Sequence, residues 1–559
     1  MMSEFIQLKK SNCKNCYKCI RHCAVKSIAF TDDRAHIIDD ECILCGHCYV
    51  VCPQDAKQIR NDVQKAKDLI AKYPKVIASI APSFAANYKG VSMPAMQKAL
   101  QQLGFFAADE TAVGATYVKT EYEKLVAGGD GNPIISSCCH TVNLLIRKHY
   151  PDALPYLAKV VSPMAADCLA IKQKYPDAKT VFIGPCISKK AEAEQYPELV
   201  DCVLTFEELT GWMQEQGVEF EQIPEDITKT KARLFPTTGG ILKTMQCDAP
   251  DYTYISIDGI DNCIQVLQDI ARGTIKNCFI EMSACTGSCI GGPVMEKYRH
   301  TPVADFIAVE HAAGPEQFEI TPLDDQMLVY EQPYIGVHKQ MPGKLEIEAV
   351  LKKMGKEKPE DELNCGTCGY NTCREKAIAV CQGKANISMC LPFLKEKAES
   401  FSDNIIKNTP NGIIVLNEAL EVQQINRAAM RILNVRAASD VLGEQVVRVL
   451  EPKDFFEVLE SGHNIHDKRM YLAEYKKYVE ETVIYDKNYR ILMCILRDVT
   501  DEEAERESKE KLSRQTIEIT DKVVEKQMRV VQEIASLLGE TTAETKIALT
   551  KLKESLSDE

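Results

Sequence analysis

Apolar and polar positions divide the 559-residue chain into stretches of different period. Between residues 60 and 75, Val63, Ala66, Leu69 and Ile70 fall on one face of a short helix. The run Lys75-Val-Ile-Ala-Ser-Ile-Ala-Pro-Ser83 is nearly all apolar and predicts a buried strand ending in a loop. Strand and helix patterns then alternate through 93–103, 142–148, 180–183, 206–216 and 266–270. That alternation predicts an α/β domain with parallel sheets, whose sites lie at strand ends and the loops that follow. Residues 402–500 read as strand, helix and then three β segments. In the charged tail, 501–559, Ile517, Val524, Val531 and Leu538 recur every seven residues, with Ile534 at the partner spacing. This predicts a coiled-coil signal helix and a dimer, or a monomeric amphipathic helix.

Composition narrows the partners. A net charge of −14 argues against nucleic acid, which needs a basic surface. No run of about 18 apolar residues predicts a membrane span, and no charged-then-apolar leader is seen. Twenty-four cysteines in such a chain read as metal ligands rather than disulfides, in a cytoplasmic, reducing and anaerobic setting.

The cysteine spacings supply the chemistry. Residues 1–57 carry Cys13-x2-Cys16-x2-Cys19-x3-Cys23 and Cys42-x2-Cys45-x2-Cys48-x3-Cys52-Pro53. This resembles the bacterial two-cluster ferredoxin pattern, in which the fourth cysteine of each run serves the other cluster. The resemblance implies one [4Fe-4S] cluster on Cys13, Cys16, Cys19 and Cys52, and another on Cys42, Cys45, Cys48 and Cys23. His47 either tunes a cluster or is a water-facing spacer.

Three further pieces follow in order: Ser136-Ser137-Cys138-Cys139-His140, Gly184-Pro185-Cys186-Ile187-Ser188-Lys189-Lys190, and the Gly-rich loop Ser283-Ala-Cys285-Thr-Gly-Ser-Cys289-Ile-Gly-Gly-Pro293. Thiolates on glycine-rich loops suit a soft metal centre. Together the pieces resemble the cysteine signatures of [FeFe]-hydrogenases, over roughly residues 76–294. The resemblance implies an H-cluster, a [4Fe-4S] cube joined to a di-iron site with CO and cyanide ligands. Cys139, Cys186 and Cys285 would hold the cube and Cys289 would bridge to the di-iron site. Cys138 would relay protons, and Lys189 would hydrogen-bond a cyanide. Ala81, Pro82, Ser83 and Phe235 would line the di-iron pocket, with Phe235 readable equally as core. Glu192 matches a family glutamate or is a surface ion-pair residue.

Departures accompany these matches. Two family methionines align with Gly184, expected to open space, and Ser283, expected to add a hydroxyl. His140 and Val142 replace a proline and a tryptophan; His140 is a candidate relay or a local packing residue. A proton-path serine aligns with Ala158, a glutamine with Met164, and two glutamates with a segment where only Glu121 and Glu123 are available. The family's proton path is therefore expected to break beyond Cys138.

Cys365-x2-Cys368-x4-Cys373-x16-Cys390 resembles a small [4Fe-4S] domain of Rnf-complex and corrinoid-protein subunits; zinc would fit the spacing too. A third accessory cluster there is expected on the far side of the hydrogenase domain. Residues 402–500, with Arg497-Asp498-Val499-Thr500, look like a PAS sensor domain. Cys494, His463 and His466 are either cofactor ligands or surface and core residues. Cys168, Cys202, Cys247, Cys263, Cys278, Cys381 and Cys494 lack ligand spacing and read as buried filler.

The expected fold is multidomain α/β: a ferredoxin-like N-terminus (1–57), an α/β hydrogenase domain with parallel sheets (58–340), a small α iron–sulfur domain reached through a linker (341–400), an α+β PAS domain (401–500) and a helical tail (501–559). The resemblance implies a hydrogenase with three accessory [4Fe-4S] clusters, handling H2 and protons and sensing H2 or redox state through PAS and tail. The expected partners are a ferredoxin or other redox protein, a separate kinase or phosphatase, and a second copy of the chain. The rivals are a metabolic ferredoxin-linked hydrogenase, a non-enzymatic iron–sulfur assembly protein, and a redox sensor with a vestigial site.

Overall fold

A computed structural model describes residues 5–9, 12–31, 34–129, 131–225, 229–299, 301–337, 341–538 and 542–556. Four short strands open the chain: β1 (Ile6–Leu8), β2 (Ile28–Thr31), β3 (Arg34–Ile37) and β4 (Lys57–Ile59). β1 pairs antiparallel with β4, and β2 with β3. Each cysteine run leads into a one-turn helix, Lys18–Arg21 or His47–Val50, with the residue before it, Tyr17 or Gly46, in the left-handed region.

Next come β5 (Val76–Ile80), β6 (Ala107–Glu110), β7 (Ile134–Ile135), β8 (Lys179–Gly184), β9 (Cys202–Thr205), β10 (Thr253–Asp258) and β11 (Cys278–Ser283). They form two parallel sheets, ordered β6-β5-β8-β9 and β10-β11-β7. β5, β9 and β11 are buried at every position, as parallel strands covered on both faces require. The predicted helices appear at Val63–Lys72, Met93–Gln102, His140–His149, Phe206–Gln216 and Ile260–Ala271. Ser92 and Ser162 cap their helices through the side chain, each with proline in the first turn. Thr205 and Glu208 form a reciprocal capping box.

Residues 301–360 are more than a closing segment and linker. The helix Pro302–Ala312 packs on the hydrogenase-like domain, and Val161 donates a backbone hydrogen bond to Leu328. The helix Lys344–Lys353 packs instead against Cys373–Cys381, so it belongs to the small cysteine-rich domain. That domain does not lie on the far side of the hydrogenase-like domain. It docks on the N-terminal module: Arg21 donates to the Thr367 carbonyl (3.1 Å), Lys26 to the Gly369 carbonyl (3.0 Å), and Lys384 pairs with Glu41. Its glycine-rich turn needs small residues, because a Cβ on Gly369 would meet Ile20 at 2.9 Å. These parts form one compact unit, residues 1–394.

The second unit, residues 395–559, is built on β12 (Gly412–Asn417), β13 (Val422–Ile425), β14 (Ile465–Leu472), β15 (Lys477–Asp486) and β16 (Ile491–Asp498). They form one antiparallel sheet, β13-β12-β16-β15-β14. Two strands precede the helices where the sequence pattern suggested one, because β13 is short and its two central residues are polar. The helix Thr500–Leu538 follows, and a second helix, Thr542–Ser555, returns against it, with Lys553 paired to Asp521 at 3.2 Å. Ile517, Val524 and Val531 are half-buried and Ile534 is exposed; the Leu538 side chain lies outside the described residues. Among the described residues no helix is long and apolar enough to cross a membrane.

Candidate metal centre

The three signature pieces leave the C-terminal ends of parallel strands. Cys138 and Cys139 follow β7, Cys186 follows β8, and Cys285 and Cys289 follow β11. Two of the loops feed helices, His140–His149 and Ser188–Ala193. Gly287, at φ +81°, turns the third. The structure brings Cys139, Cys186, Cys285 and Cys289 together, and the charges of their neighbours help raise the pKa of Cys186, Cys285 and Cys289. Burial is the larger cause. Together they push Cys186 up to about 11, Cys289 up to about 12 and Cys285 well above the usual thiol value. Converging thiols whose ionisation is disfavoured are what a cationic metal group offsets. Among the described residues no three His, Cys, Asp or Glu groups surround a single ion. A [4Fe-4S] cube takes one cysteine per iron, so its ligands stand around a larger body.

Beside these thiols lies a cavity of about 100 Å³. Ala81, Pro82, Ala115, Pro163, Met164, Phe182, Phe235 and Ile241 make most of its wall apolar. The polar wall is Ser83, Cys138, Lys189, Glu281, Ser283, Ser288 and Cys289, with Thr111 at one side. Ser83 is fully buried and its Oγ has no hydrogen-bond partner. An orphan hydroxyl, an ammonium and a thiol on one apolar wall suit a ligand with small acceptor groups, as a di-iron site with cyanide and dithiolate would present. The donor set therefore fits the group that the signatures imply.

Lys189 is held for this position. Its ammonium donates to the Cys138 carbonyl at 3.2 Å and forms a short ion pair with Glu192. Burial works against that charge, but Glu192 outweighs it and the pKa is raised; the carboxyl of Glu192 is correspondingly lowered. Glu192 is only 4% exposed, so it is a buried partner and not a surface one. Lys190 turns the other way and pairs with Asp62 (2.7 Å) and Glu208 (2.9 Å) in the interior.

Several departures resolve differently from expectation. Gly184 opens no space: a Cβ there would meet the Phe182 ring at 2.8 Å, so that ring fills the volume. Ser283 does face the cavity. His140 is fully buried, has no hydrogen-bond partner, sits 3.9 Å from Glu192 and is not on the cavity wall; burial lowers its pKa to about 4. Glu121 and Glu123 are taken up by Lys124 (2.7 Å) and Lys119 (3.2 Å). The residue meeting Cys138 is Tyr122, whose hydroxyl lies 3.1 Å from both Cys138 Sγ and Ser137 Oγ. Burial pushes the Cys138 thiol up to about 12.

The sequence reading missed Tyr122, Glu281 and Asp167. Glu281 and Asp167 each interrupt an apolar segment, which is the signal that marks them. Asp167 is fully buried; Ser79 faces it and draws its pKa down, yet neither carboxyl oxygen closes a hydrogen bond, and burial holds the pKa well above the ordinary value.

The accessory cysteines also converge. Cys19 feels the charges of Cys13, Cys16 and Cys52, and Cys48 those of Cys42, Cys45 and Cys23. This is the crossed grouping that the spacing implies. The His47 main chain, rather than its ring, bonds toward Cys45. Cys45 in turn lies close enough to raise the pKa of Cys285, so the second group abuts the candidate centre. Cys365, Cys368, Cys373 and Cys390 line a small pocket of their own. Of the remaining cysteines, Cys168, Cys202, Cys263, Cys278 and Cys494 are buried, whereas Cys247 and Cys381 are exposed. His463 and His466 are exposed as well.

Residues 74–293 match the family described as "Iron only hydrogenase large subunit, C-terminal domain". Residues 35–58 match a 4Fe-4S binding domain, 361–392 a putative Fe-S cluster domain, and 400–499 the PAS fold. The chain is thus a hydrogenase-like iron–sulfur protein with a PAS domain. It is similar to the NADP-reducing hydrogenase subunit HndD of Solidesulfovibrio fructosivorans, 26% identical over 46% of this chain and 56% of that protein. It is also similar to the cytosolic Fe-S cluster assembly factor NAR1 of Yarrowia lipolytica, 23% identical over 35% of this chain and 46% of that one. The chain spans about half the length of these curated relatives. Among solved structures, a variant of the [FeFe]-hydrogenase HydA1 from Chlamydomonas reinhardtii aligns with a TM-score of 0.39 at 18% identity, over 50% of this chain and 100% of that one.

Proposed function

We propose that this protein is a sensory hydrogenase: it binds and oxidises H2 in the cavity beside Cys289 and passes the result to its PAS domain and helical tail. The observation that carries the reading is the cavity wall. The ammonium of Lys189, the thiols of Cys138 and Cys289 and the unpartnered hydroxyl of Ser83 face one cavity where Cys139, Cys186, Cys285 and Cys289 converge. An H-cluster held by Cys139, Cys186, Cys285 and Cys289 would supply the H2-splitting and redox chemistry there. Lys189 and Ser83 orient acceptor groups by donating to them. Phe235, Phe182, Pro82 and Met164 exclude water, which strengthens those polar contacts. Cys138 holds a proton at Sγ on the wall. The cysteine group around Cys45, next to Cys285, serves as the electron lead, and the groups on Cys13 and Cys365 extend it. A redox protein such as a ferredoxin, a separate kinase or phosphatase, a homodimeric state and a cytoplasmic location belong to the same proposal.

Infrared spectroscopy of anaerobically matured protein, under argon and then H2, tests this. CO and cyanide bands that shift with H2 are expected; their absence with intact [4Fe-4S] signals overturns the hydrogenase reading. The similarity to NAR1 supports a second reading, a non-enzymatic iron–sulfur assembly protein, which that negative result would favour. Removing residues 402–559 tests the sensory half: H2 turnover should survive and H2-dependent control of the partner should vanish.

A further inference from the structure

Glu281 is the only carboxyl on the described cavity wall. It stands in the middle of β11, among Phe279, Ile280 and Met282, and is 2% exposed. Burying a carboxylate without a counter-charge is costly, and no ion pair reaches Glu281 among the described residues. Its oxygens accept amide hydrogens from Gly239 at 2.9 Å and Leu242 at 3.0 Å. On the inner side its charge is felt by the Cys138 thiol. On the outer side the parallel register sets Ser256 of β10 directly beside it. The half-buried Ser256 hydroxyl bonds to the carboxylate and also accepts the Gly239 amide at 2.9 Å. The exposed Cys247 feels both Glu281 and Glu123.

The other direction out of Cys138 is closed. Tyr122 passes to Ser137, whose Oγ donates to the Val160 carbonyl at 2.7 Å. A main-chain carbonyl accepts a hydrogen bond and has no proton to hand on. Ala158, two residues before Val160, brings no relay group either.

We propose that Glu281 is the proton relay between the cavity and solvent, receiving protons past Ser256 and delivering them at Cys138. The step is a proton transfer with no change in electron count. The carboxyl O–H bond breaks as its proton passes, through a water in the cavity, to Cys138 Sγ, while the thiol releases its own proton into the cavity; the carboxylate is then reprotonated from water at Ser256, and H2 oxidation runs the sequence in reverse. Burial against the Gly239, Ile241 and Leu242 amides leaves the carboxyl pKa at about 7, the value at which a relay both takes and gives protons in neutral solution. This inference rests on the hydrogenase reading above.

The test uses the full chain with its clusters. Infrared difference spectra across neutral pH should show a protonated-carboxyl band with a midpoint near 7, shifted in D2O and lost in Glu281→Gln. Matured Glu281→Gln should lose about 10²-fold or more of H2/D2O exchange and its pH dependence near 7, with Glu281→Asp recovering part. If Glu281→Gln fails to load clusters, Ser256→Ala decides in its place, because it leaves both amide bonds to the carboxylate intact; it should slow exchange and displace the midpoint. No titrating carboxyl band, or parental exchange in a variant that keeps its CO and cyanide bands, overturns the relay alone. Absence of those bands in the parent overturns the reading beneath it.

Discussion

At the residue scale, neighbours in sequence have separate physical tasks. Lys189 and Lys190 are adjacent, but the short helix points one into the cavity and buries the other against Asp62 and Glu208. Lys190→Met would remove the cation between two buried carboxylates, leaving Asp62 to Arg60 (3.1 Å) and Glu208 with no ion pair among the described residues. We expect it to destabilise the first unit by about 3–5 kcal/mol in anaerobic urea unfolding, with Lys190→Met/Asp62→Asn recovering part of that. Lys189→Met should instead shift or abolish cyanide bands in matured protein. Gly184 illustrates compensation between positions. With Phe182 in its volume, Gly184→Met overpacks and should cost about 1–3 kcal/mol, a penalty reduced when Phe182 is made alanine. Tyr122→Phe frees the Ser137 amide and the Cys138 thiol and should cost about 1–3 kcal/mol, while leaving H2/D2O exchange near the parental rate because its branch ends at Val160.

At the element scale, a strand's period says which positions are buried, but not which polar residue the burial will disturb. β15 alternates, and its inward position 481 is a glutamate facing Cys494 at 3.5 Å. Burial, aided by the nearby Asp454, raises the Glu481 pKa from 4.5 to about 7. The folded PAS unit therefore holds that proton when the unfolded chain has lost it. This contribution to stability is full below about pH 4.5 and is lost as pH rises through about 7. The unfolding free energy of the second unit should fall over that window and flatten in Glu481→Gln, as read by urea titration followed at successive pH values. Asp454, held below its usual value chiefly by Lys468 against the effect of burial, acts in the opposite sense only at more acid pH.

At the scale of the first unit, close approach between modules sets the electron lead. Gly46, at φ +77°, lies so near the signature loops that a Cβ would meet Pro293 at 2.5 Å and Ile187 at 2.9 Å. Gly46→Ala should loosen the N-terminal module from the loop bearing Cys289. Slower reduction of the candidate centre by an external donor, with the accessory cluster signals retained, would show it; an unchanged rate would contradict it.

The cysteine groupings, the parallel α/β core and the PAS layout were legible in the sequence, because ligand spacing and hydrophobic period are properties of short stretches. Cys13 with Cys52, and Cys42 with Cys23, follow from such spacing and converge as expected. Other features depend on contacts between segments far apart in the chain. The ring of Phe182 over Gly184, Tyr122 at Cys138, the burial of Glu192 and the docking of the Cys365 domain on the N-terminal module are of this kind. The sequence by itself determined which residue types were available for metal, proton and electron. Only the tertiary structure decided which of them share one low-dielectric cavity, because burial and neighbouring charge, not residue type, set where a thiol or carboxyl keeps its proton.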